Sequence, residues 1–325
     1  MQRWTRRLAL ASATVLLALA TPAVFGQNYP SKPIEWVVPY PAGGGTDVVA
    51  RTLAEAMGKV LKQPMVVSNK PGAATNIGAD YTARAKPDGY TLLSADTGTL
   101  AANPYLYSKL SYDAQKDLAS VGLTVRFPLI LVVHPDVPAR NWQEFLKWAQ
   151  AHQGADYASP GAGSPHHLAS ELLREKSGLT FTHIPYRGAA PAVQDVISGQ
   201  VPFMFVDTAA GQQFIHSGRL RAIGVASASR VKNFDNIATL QEQGLDGFEA
   251  YAWQGIVVPA NTPADIAMQL NRAMAAVMQT PELQEKLSSL GLESTPSTPA
   301  EMDAYIQAER IKWSAVIKAA NITLD

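Results

Sequence analysis

Between Trp36 and Met57 the chain reads WVVPYPAGGGTDVVARTLAEAM, an apolar strand that runs into Gly43, Gly44 and Gly45 and then straight into a helical pattern. Bare backbone at a helix start presents N–H groups with no acceptor inside the helix, together with the positive end of the helix dipole. That combination suits an anion. A nucleotide phosphate loop closes on Gly-Lys-Ser/Thr, whereas Thr46 and Asp47 follow the glycines here.

Three more strand exits share the design. SADTGTLAANP places Thr97, Gly98 and Thr99 after a strand ending at Ala95. YASPGAGSPHHLASELL places Gly161, Gly163 and Ser164 before an apolar helix, and HIPYRGAAPAVQDV places Arg187 and Gly188 before another. One such glycine is ordinary turn chemistry, but four exits of one kind argue for a ligand. A helix start contributes about 0.3–1 kcal/mol to a nearby anion, and up to about 2 when partly buried. A hydrogen bond to a charged group contributes about 1.5–3 kcal/mol. Micromolar binding needs about 8 kcal/mol, so several loop contacts reach it with one cleft arginine or none.

Other chemistries find less support. The histidines at 134, 152, 166, 167, 183 and 216 form no spaced metal set. GAGSPH lacks the third glycine of a dinucleotide fingerprint, and Ser164 does not sit in Gly-x-Ser-x-Gly. Trp36, Trp253 and Tyr186 read as core or cleft wall.

The elements that must position these exits alternate. Strands are predicted at Ile34–Pro39, Met65–Asn69, Tyr90–Ala95, Leu129–His134, Asp156–Ser159, Phe181–Pro185, Pro202–Val206, Leu220–Ala226 and Phe248–Pro259, with helices between most of them. Such βαβα alternation predicts parallel sheets covered by helices, with ligands beyond the carboxyl ends of the strands. After Pro259 the pattern is helical only, starting at Thr262-Pro263 and again at Thr298-Pro299 with Glu301. A helical tail without new strands needs an existing sheet to pack on, so it is expected to return to the first domain. The strand series places domain one at 27–125 plus 252–325 and domain two, an insertion, at 126–251.

The chain has 325 residues, 47% of them hydrophobic. Arg3, Arg6 and Arg7 precede an acid-free apolar run from Leu8 to Ala20, followed by small residues up to Gly26. This reads as a secretory signal peptide over 1–26 with cleavage near Gly26, since thirteen apolar residues fall short of the ~20 that span a bilayer. Its removal leaves 24 basic against 27 acidic residues, a balance that does not attract nucleic acid or anionic lipid. The absence of cysteine removes any disulfide framework or cysteine lipid anchor, so a free periplasmic protein is expected.

Taken together, VPYPAGGGTD, NKPGAATNIGAD, KPDGYTLL, GAGSPHHLASELL, PYRGAAPAVQDVISGQV, GRLRAIGV and VVPANTPADI resemble the Bug-type (TctC-like) receptors of tripartite tricarboxylate transporters, from about Tyr29 to the C-terminus. The resemblance implies an α/β periplasmic binding protein of two doubly wound domains joined by a hinge, with a small carboxylate in the interdomain cleft. It implies transfer of that carboxylate to a membrane permease by a monomer with no cofactor, no metal, no catalytic residue and no nucleic-acid partner. Carried over by position, the ligand-facing elements are Gly43, Gly44, Gly45 and Thr46; Thr97, Gly98 and Thr99; Gly163, Ser164 and His167; and Arg187 with Gly188. Tyr40, Asp47, Ser159 and Asp207 complete the set, with Asp207 lying one residue later than the family's aspartate. His166 falls at a variable position. A sensor feeding a signalling partner would use the same cleft. A periplasmic hydrolase would need a nucleophile, base and orienter that the sequence does not display.

Overall fold

The computed structural model describes residues 29–324, so the signal peptide assigned to 1–26 lies outside the described residues. Every element below belongs to the compact unit Lys32–Asp325. The chain begins with β1 (Ile34–Val38), α1 (Gly45–Leu61), β2 (Met65–Asn69), α2 (Asn76–Ala83) and β3 (Thr91–Asp96). A π-helical turn at Gly98–Ala102 then runs into the short α3 (Asn103–Leu106). Next come β4 (Leu118–Val133), α4 (Trp142–Ala151), β5 (Ala155–Ser159), α5 (Pro165–Ser177), β6 (Phe181–Pro185), α6 (Ala189–Ile197), β7 (Phe203–Asp207), α7 (Thr208–His216) and β8 (Arg221–Val225). The chain closes with β9 (Tyr251–Pro259), α8 (Ala264–Met278), α9 (Pro281–Ser289), β10 (Glu293–Ser294) and α10 (Pro299–Ala320).

The central strands are near-continuous apolar runs such as IEWVV in β1 and FMFVD in β7, almost wholly buried, as strands covered on both faces must be. One group of strands runs β2-β1-β3-β9-β4, with β10 on the other edge of β4. The other places β7 and β8 on either side of the C-terminal half of β4, with β5 and β6 beyond β7. β4 is therefore common to both groups.

The alternation predicts parallel sheets, and the structure corrects that. β1, β2 and β3 are parallel, as are β5, β6 and β7. β9 is antiparallel to both β3 and β4, and β4 is antiparallel to β7 and β8. A parallel neighbour needs a crossover of a dozen or more residues, whereas β4 passes from one group to the other with no connection at all. The strand expected from Leu129 starts at Leu118, because Gly122, Arg126 and Pro128 break the apolar run that would have revealed it. The boundary placed near Val125 falls inside this strand, where Val125 pairs with Gln254 and Ser294. The tail was expected to add no strand, yet β10 joins β4 opposite Arg126, whose guanidinium lies 2.9 Å from the Glu293 carboxylate.

The tail helices do return to the first group of strands: α8 lies on α1 and β4, and α10 on the π-helical turn, β4 and α5. Among the described residues no helix is long and apolar enough to cross a membrane. Thr298 starts α10 with a capping box shared with Glu301, as the sequence signature predicts. Buried Trp253 of β9 and Trp313 of α10 both donate their indole N–H to Oε2 of Glu309, at 2.8 and 2.7 Å. Each donor left without an acceptor costs about 1–3 kcal/mol. Glu309→Ala should therefore lower the unfolding free energy by about 3–5 kcal/mol in urea titrations, and Glu309→Gln, which keeps an acceptor, by less than half of that. Equal losses in the two variants would show that the shared acceptor is not what ties α10 to β9.

Candidate functional site

The exit of β1 is the most open of the four. Gly43 holds φ at +85° and an added Cβ there would meet nothing within 4 Å; at Gly44 it would meet only the Pro41 carbonyl oxygen, at 3.7 Å. Gly44 is the N-cap of α1 and offers no side chain to its own helix. Its carbonyl accepts from the Val48 N–H at 3.0 Å, while the N–H groups of Gly45, Thr46 and Asp47 find no acceptor among the described residues. Asp47 faces inward. Its Oδ2 accepts from the Gly43 N–H and from Arg51 Nε, both at 2.9 Å, and its Oδ1 from Asn69 Nδ2 at 2.8 Å. Burial acts to raise the Asp47 pKa, but these hydrogen bonds and the Arg51 charge outweigh it and hold the carboxyl below its usual range. Asp47 thus sets the loop's shape rather than facing outward. Across the loop, Phe127 of β4 would lie 3.0 Å from a Cβ on Gly45.

The exit of β3 is closed by its own acid. Asp96 is buried and accepts from the Tyr40 hydroxyl, from the Thr99 N–H at 2.9 Å and from the Thr99 hydroxyl at 2.8 Å. Burial pushes both the Asp96 and the Tyr40 pKa up, and the Asp96 charge pushes Tyr40 further. Tyr40 therefore clamps the first exit to the second. Thr97, Gly98 and Thr99 are all buried, and the Thr97 hydroxyl has no partner. Asn103 supports the turn from below by donating to the Ala74 carbonyl and to Asn76.

At the exit of β5, Ser164 caps α5 by accepting from the His167 N–H at 3.2 Å. Gly163, at φ +75°, is pressed against Leu106 of α3, 2.7 Å from where a Cβ would sit. His167 turns into the core, where its Nδ1 accepts from the Gly163 N–H at 3.0 Å and its ring stacks on His183 with centroids 3.8 Å apart. Ser159 is buried beneath, 2.6 Å from His183 Nε2. Burial, with Arg174 adding to it, lowers the His167 pKa to about 4; burial, with His167 adding to it, lowers that of His183 to about 3. The neighbouring His166 points elsewhere. Its Nε2 lies 3.3 Å from Oδ2 of Asp207, while its Nδ1 is buried with no partner. Asp207 also caps α7 by accepting from the Ala210 N–H. Burial works to raise the Asp207 pKa, but the His166 contact and that N–H leave it lowered.

The exit of β6 is the second open one. Gly188, at φ +109°, is the N-cap of α6 and gives it no side-chain cap. Its own N–H goes to the Pro160 carbonyl at 2.9 Å. Arg187 just before it is exposed.

The four exits therefore divide. Two helix starts carry glycine N-caps and stay open, one from each group of strands, whereas the exits of β3 and β5 are closed by Asp96 and Ser164. Direct contacts bring Tyr40 to Thr99 through Asp96, Gly163 to His167, His167 to Ser159 through His183, and Gly188 to the Pro160 turn. No hydrogen bond among the described residues links Gly43–Thr46 to the exits of β5, β6 or β7. Sequence reasoning missed Asp96 and His166. An acid at the end of a strand, followed three residues later by Thr99, is the signal that marks Asp96; nothing in the sequence pairs His166 with Asp207.

The sequence profile described as the tripartite tricarboxylate transporter family receptor matches residues 49–322. Protein BugT of Bordetella pertussis is 33% identical over 322 residues, which cover 98% of this chain and 99% of that protein. An R. palustris protein solved with adipate superposes with a TM-score of 0.85 at 30% identity, covering 91% of this chain and 99% of the other. MatC of Rhodopseudomonas palustris, solved with bound malate, gives 0.80 at 30% identity, covering 89% and 100%.

The stacked histidines give the site a pH signature. Both are neutral when folded, so between about pH 6.5 and their lowered values the unfolded chain binds more protons. Their contribution to stability is complete above that window and is lost as the pH falls through it. The urea midpoint should drop between pH 7 and pH 4.5, and His183→Phe should make that drop shallower. A slope unchanged in His183→Phe would remove the pair from the account.

Proposed function

The chain belongs to the tripartite tricarboxylate transporter receptor family, and from that premise we propose that it is an extracytoplasmic receptor that captures a small carboxylate and delivers it to membrane permease subunits. The family is one of periplasmic receptors, and the leader over 1–26 is proposed as the export signal. The receptor works as a monomer and without catalysis. One observation carries the carboxylate: at the start of α1 three successive backbone N–H groups stand without an acceptor, beside glycines that leave the space in front of them open. A carboxylate there gains several charge-assisted hydrogen bonds and the dipole at once. The open start of α6, with Arg187 beside it, is proposed to meet the far end of the ligand. That arrangement suits dicarboxylates first, and relatives solved with adipate and malate support the choice.

Closure is proposed to occur between a lobe of 27–125 plus 252–325 and a lobe of 126–251. The bending element is the antiparallel pair β4 and β9, whose register shifts between Ser120 and Gly122 and again between Leu123 and Val125. Such irregularities localise a bend while the ladders on either side persist. Small-angle scattering should register a smaller radius of gyration at saturating ligand. No change at saturation would rule closure out.

A ligand at a hundredfold excess over its dissociation constant stabilises by about 2.7 kcal/mol, and at about 2–4 °C per kcal/mol the midpoint should rise by roughly five to ten degrees. In a thermal-shift panel of malate, adipate, other organic acids, their amides and sugars, acids alone should produce that rise. The control is Gly44→Asp. The backbone at Gly44, with φ −78° and ψ 168°, accepts any residue, and aspartate is the better N-cap by a few tenths of a kcal/mol. The variant should therefore be at least as stable as the natural chain, yet show no shift with malate or adipate. An amide that matches its acid, or a malate or adipate shift that survives Gly44→Asp, would overturn the anion site.

A further inference from the structure

A second cavity lies just beyond the exit of β3, and none of its lining residues belongs to the two open helix starts. The helical segment that starts at Thr97 carries the chain roughly 10 Å along its axis before Pro104, and beyond Pro104 opens a cavity of about 630 Å³. Its walls include Pro104, Tyr105, Leu110 and Ala114, and Arg310 of α10 reaches into it. That volume is in the range of pockets that enclose small organic molecules.

Arg310 is only 5% exposed, and a buried guanidinium ordinarily sits against a carboxylate. This one does not. Its Nε donates to the Leu100 carbonyl at 2.6 Å, and its terminal nitrogens meet no acceptor among the described residues. The nearby acids are engaged elsewhere: Asp113 pairs with Lys116 at 2.8 Å and Asp303 accepts from Ser120 at 2.6 Å. Asp117 accepts from the Asp113 N–H at 2.7 Å. With Nε anchored, the terminal fork is fixed in direction and matches the two oxygens of a carboxylate. Burial lowers the Arg310 pKa from its usual value, and the nearby charges, Asp113 and Asp303 among them, offset only part of that. The walls mix Pro104, Leu110 and Ala114 with the polar Ser111, Asp113 and Asp117, and Tyr105 stands half-open at the rim.

We propose that this cavity is a second ligand site, which takes a small organic acid whose single carboxylate meets Arg310 and whose aromatic or aliphatic body lies between Tyr105 and Leu110. It differs in kind from the strand-exit site. There the donors are backbone N–H groups, whereas here one side-chain fork does the recognition. A monocarboxylate with an apolar body fits because the cavity offers one free cation, and the acidic side chains at its margin repel a second carboxylate.

The probe is benzoate, with benzamide as the neutral control, titrated calorimetrically into the Gly44→Asp variant so that the strand-exit site is silent. Benzoate should bind one equivalent with a dissociation constant on the order of 1 mM or tighter, and benzamide should not saturate. Arg310→Lys, which keeps the charge and loses the fork, should weaken binding about tenfold. Tyr105→Ala, at the exposed rim, should weaken it by a smaller factor with the fold intact. A crystal soaked with 4-bromobenzoate gives a readout independent of any variant: the bromine peak should lie between Tyr105 and Leu110. The proposal is overturned if Gly44→Asp shows no saturable benzoate binding, if benzamide binds equally, or if the bromine appears only at the strand exits. A bromine peak at soaking concentration with no saturation in solution also overturns it.

Discussion

A single strand serves two sheets, and the rest of the molecule is arranged around that constraint. β4 satisfies both of its edges twice over, first between β9 and β10 and then between β7 and β8. Its second half is fully buried from Phe127 to Val133, so neither edge can be left unpaired without orphaning backbone groups. The strands that pair with it fix the direction of their parallel partners, and so decide where the carboxyl ends of β1, β3, β5 and β6 emerge. Phe127, midway along the same strand, also stands against Gly45. Nothing larger than glycine fits there unless the ring moves.

Polar groups around the exits follow one rule: side chains serve the loops, and the backbone at the starts of α1 and α6 is left without a side-chain cap. Asp47 holds the Gly43 loop, Asp96 holds Tyr40 and Thr99, and Ser159 and His167 hold the Gly161–Gly163 turn. Each of these groups is buried and provided with partners, which makes it costly to displace. Backbone donors fixed in this way need no reorganisation when an anion arrives. The same economy separates the exits. A helix start capped by its own serine or by a neighbouring aspartate has spent its donors; one capped by glycine has not.

Much of this was legible in the sequence because it is local. β2 and β6 fall on the residues their β-branched and aromatic runs predict, and the starts of α5 and α10 follow from serine and threonine caps, whereas α1, expected to be capped by Thr46 or Asp47, has Gly44 as its N-cap. The open glycines at 43 and 44 were equally legible. Partnerships between distant segments were not. The sequence assigns Asp47 and His167 to the ligand because they stand in the right motifs, but a motif does not say which way a side chain turns. Asp47 turns inward because Asn69, at the end of β2, waits to donate to it, and His167 because His183 offers a ring to stack on. Similarly, β4 before Leu129 is written with Gly122, Arg126 and Pro128, residues that argue against a strand. It becomes one because β9 and β10 supply a ladder on each side.

His166 and Asp207 carry this argument one step further. A histidine whose Nε2 is held by a carboxylate has its tautomer set, with the proton on Nε2 and an acceptor at Nδ1 while the ring is neutral. That Nδ1 is buried and has no partner among the described residues. A buried acceptor without a donor costs about 1–3 kcal/mol, which the Asp207 contact and the cap that Asp207 provides to α7 must offset. Because this pair and Gly43–Thr46 are built from different strands and share no hydrogen bond among the described residues, that cost stays within the second group of strands and leaves the first exit untouched.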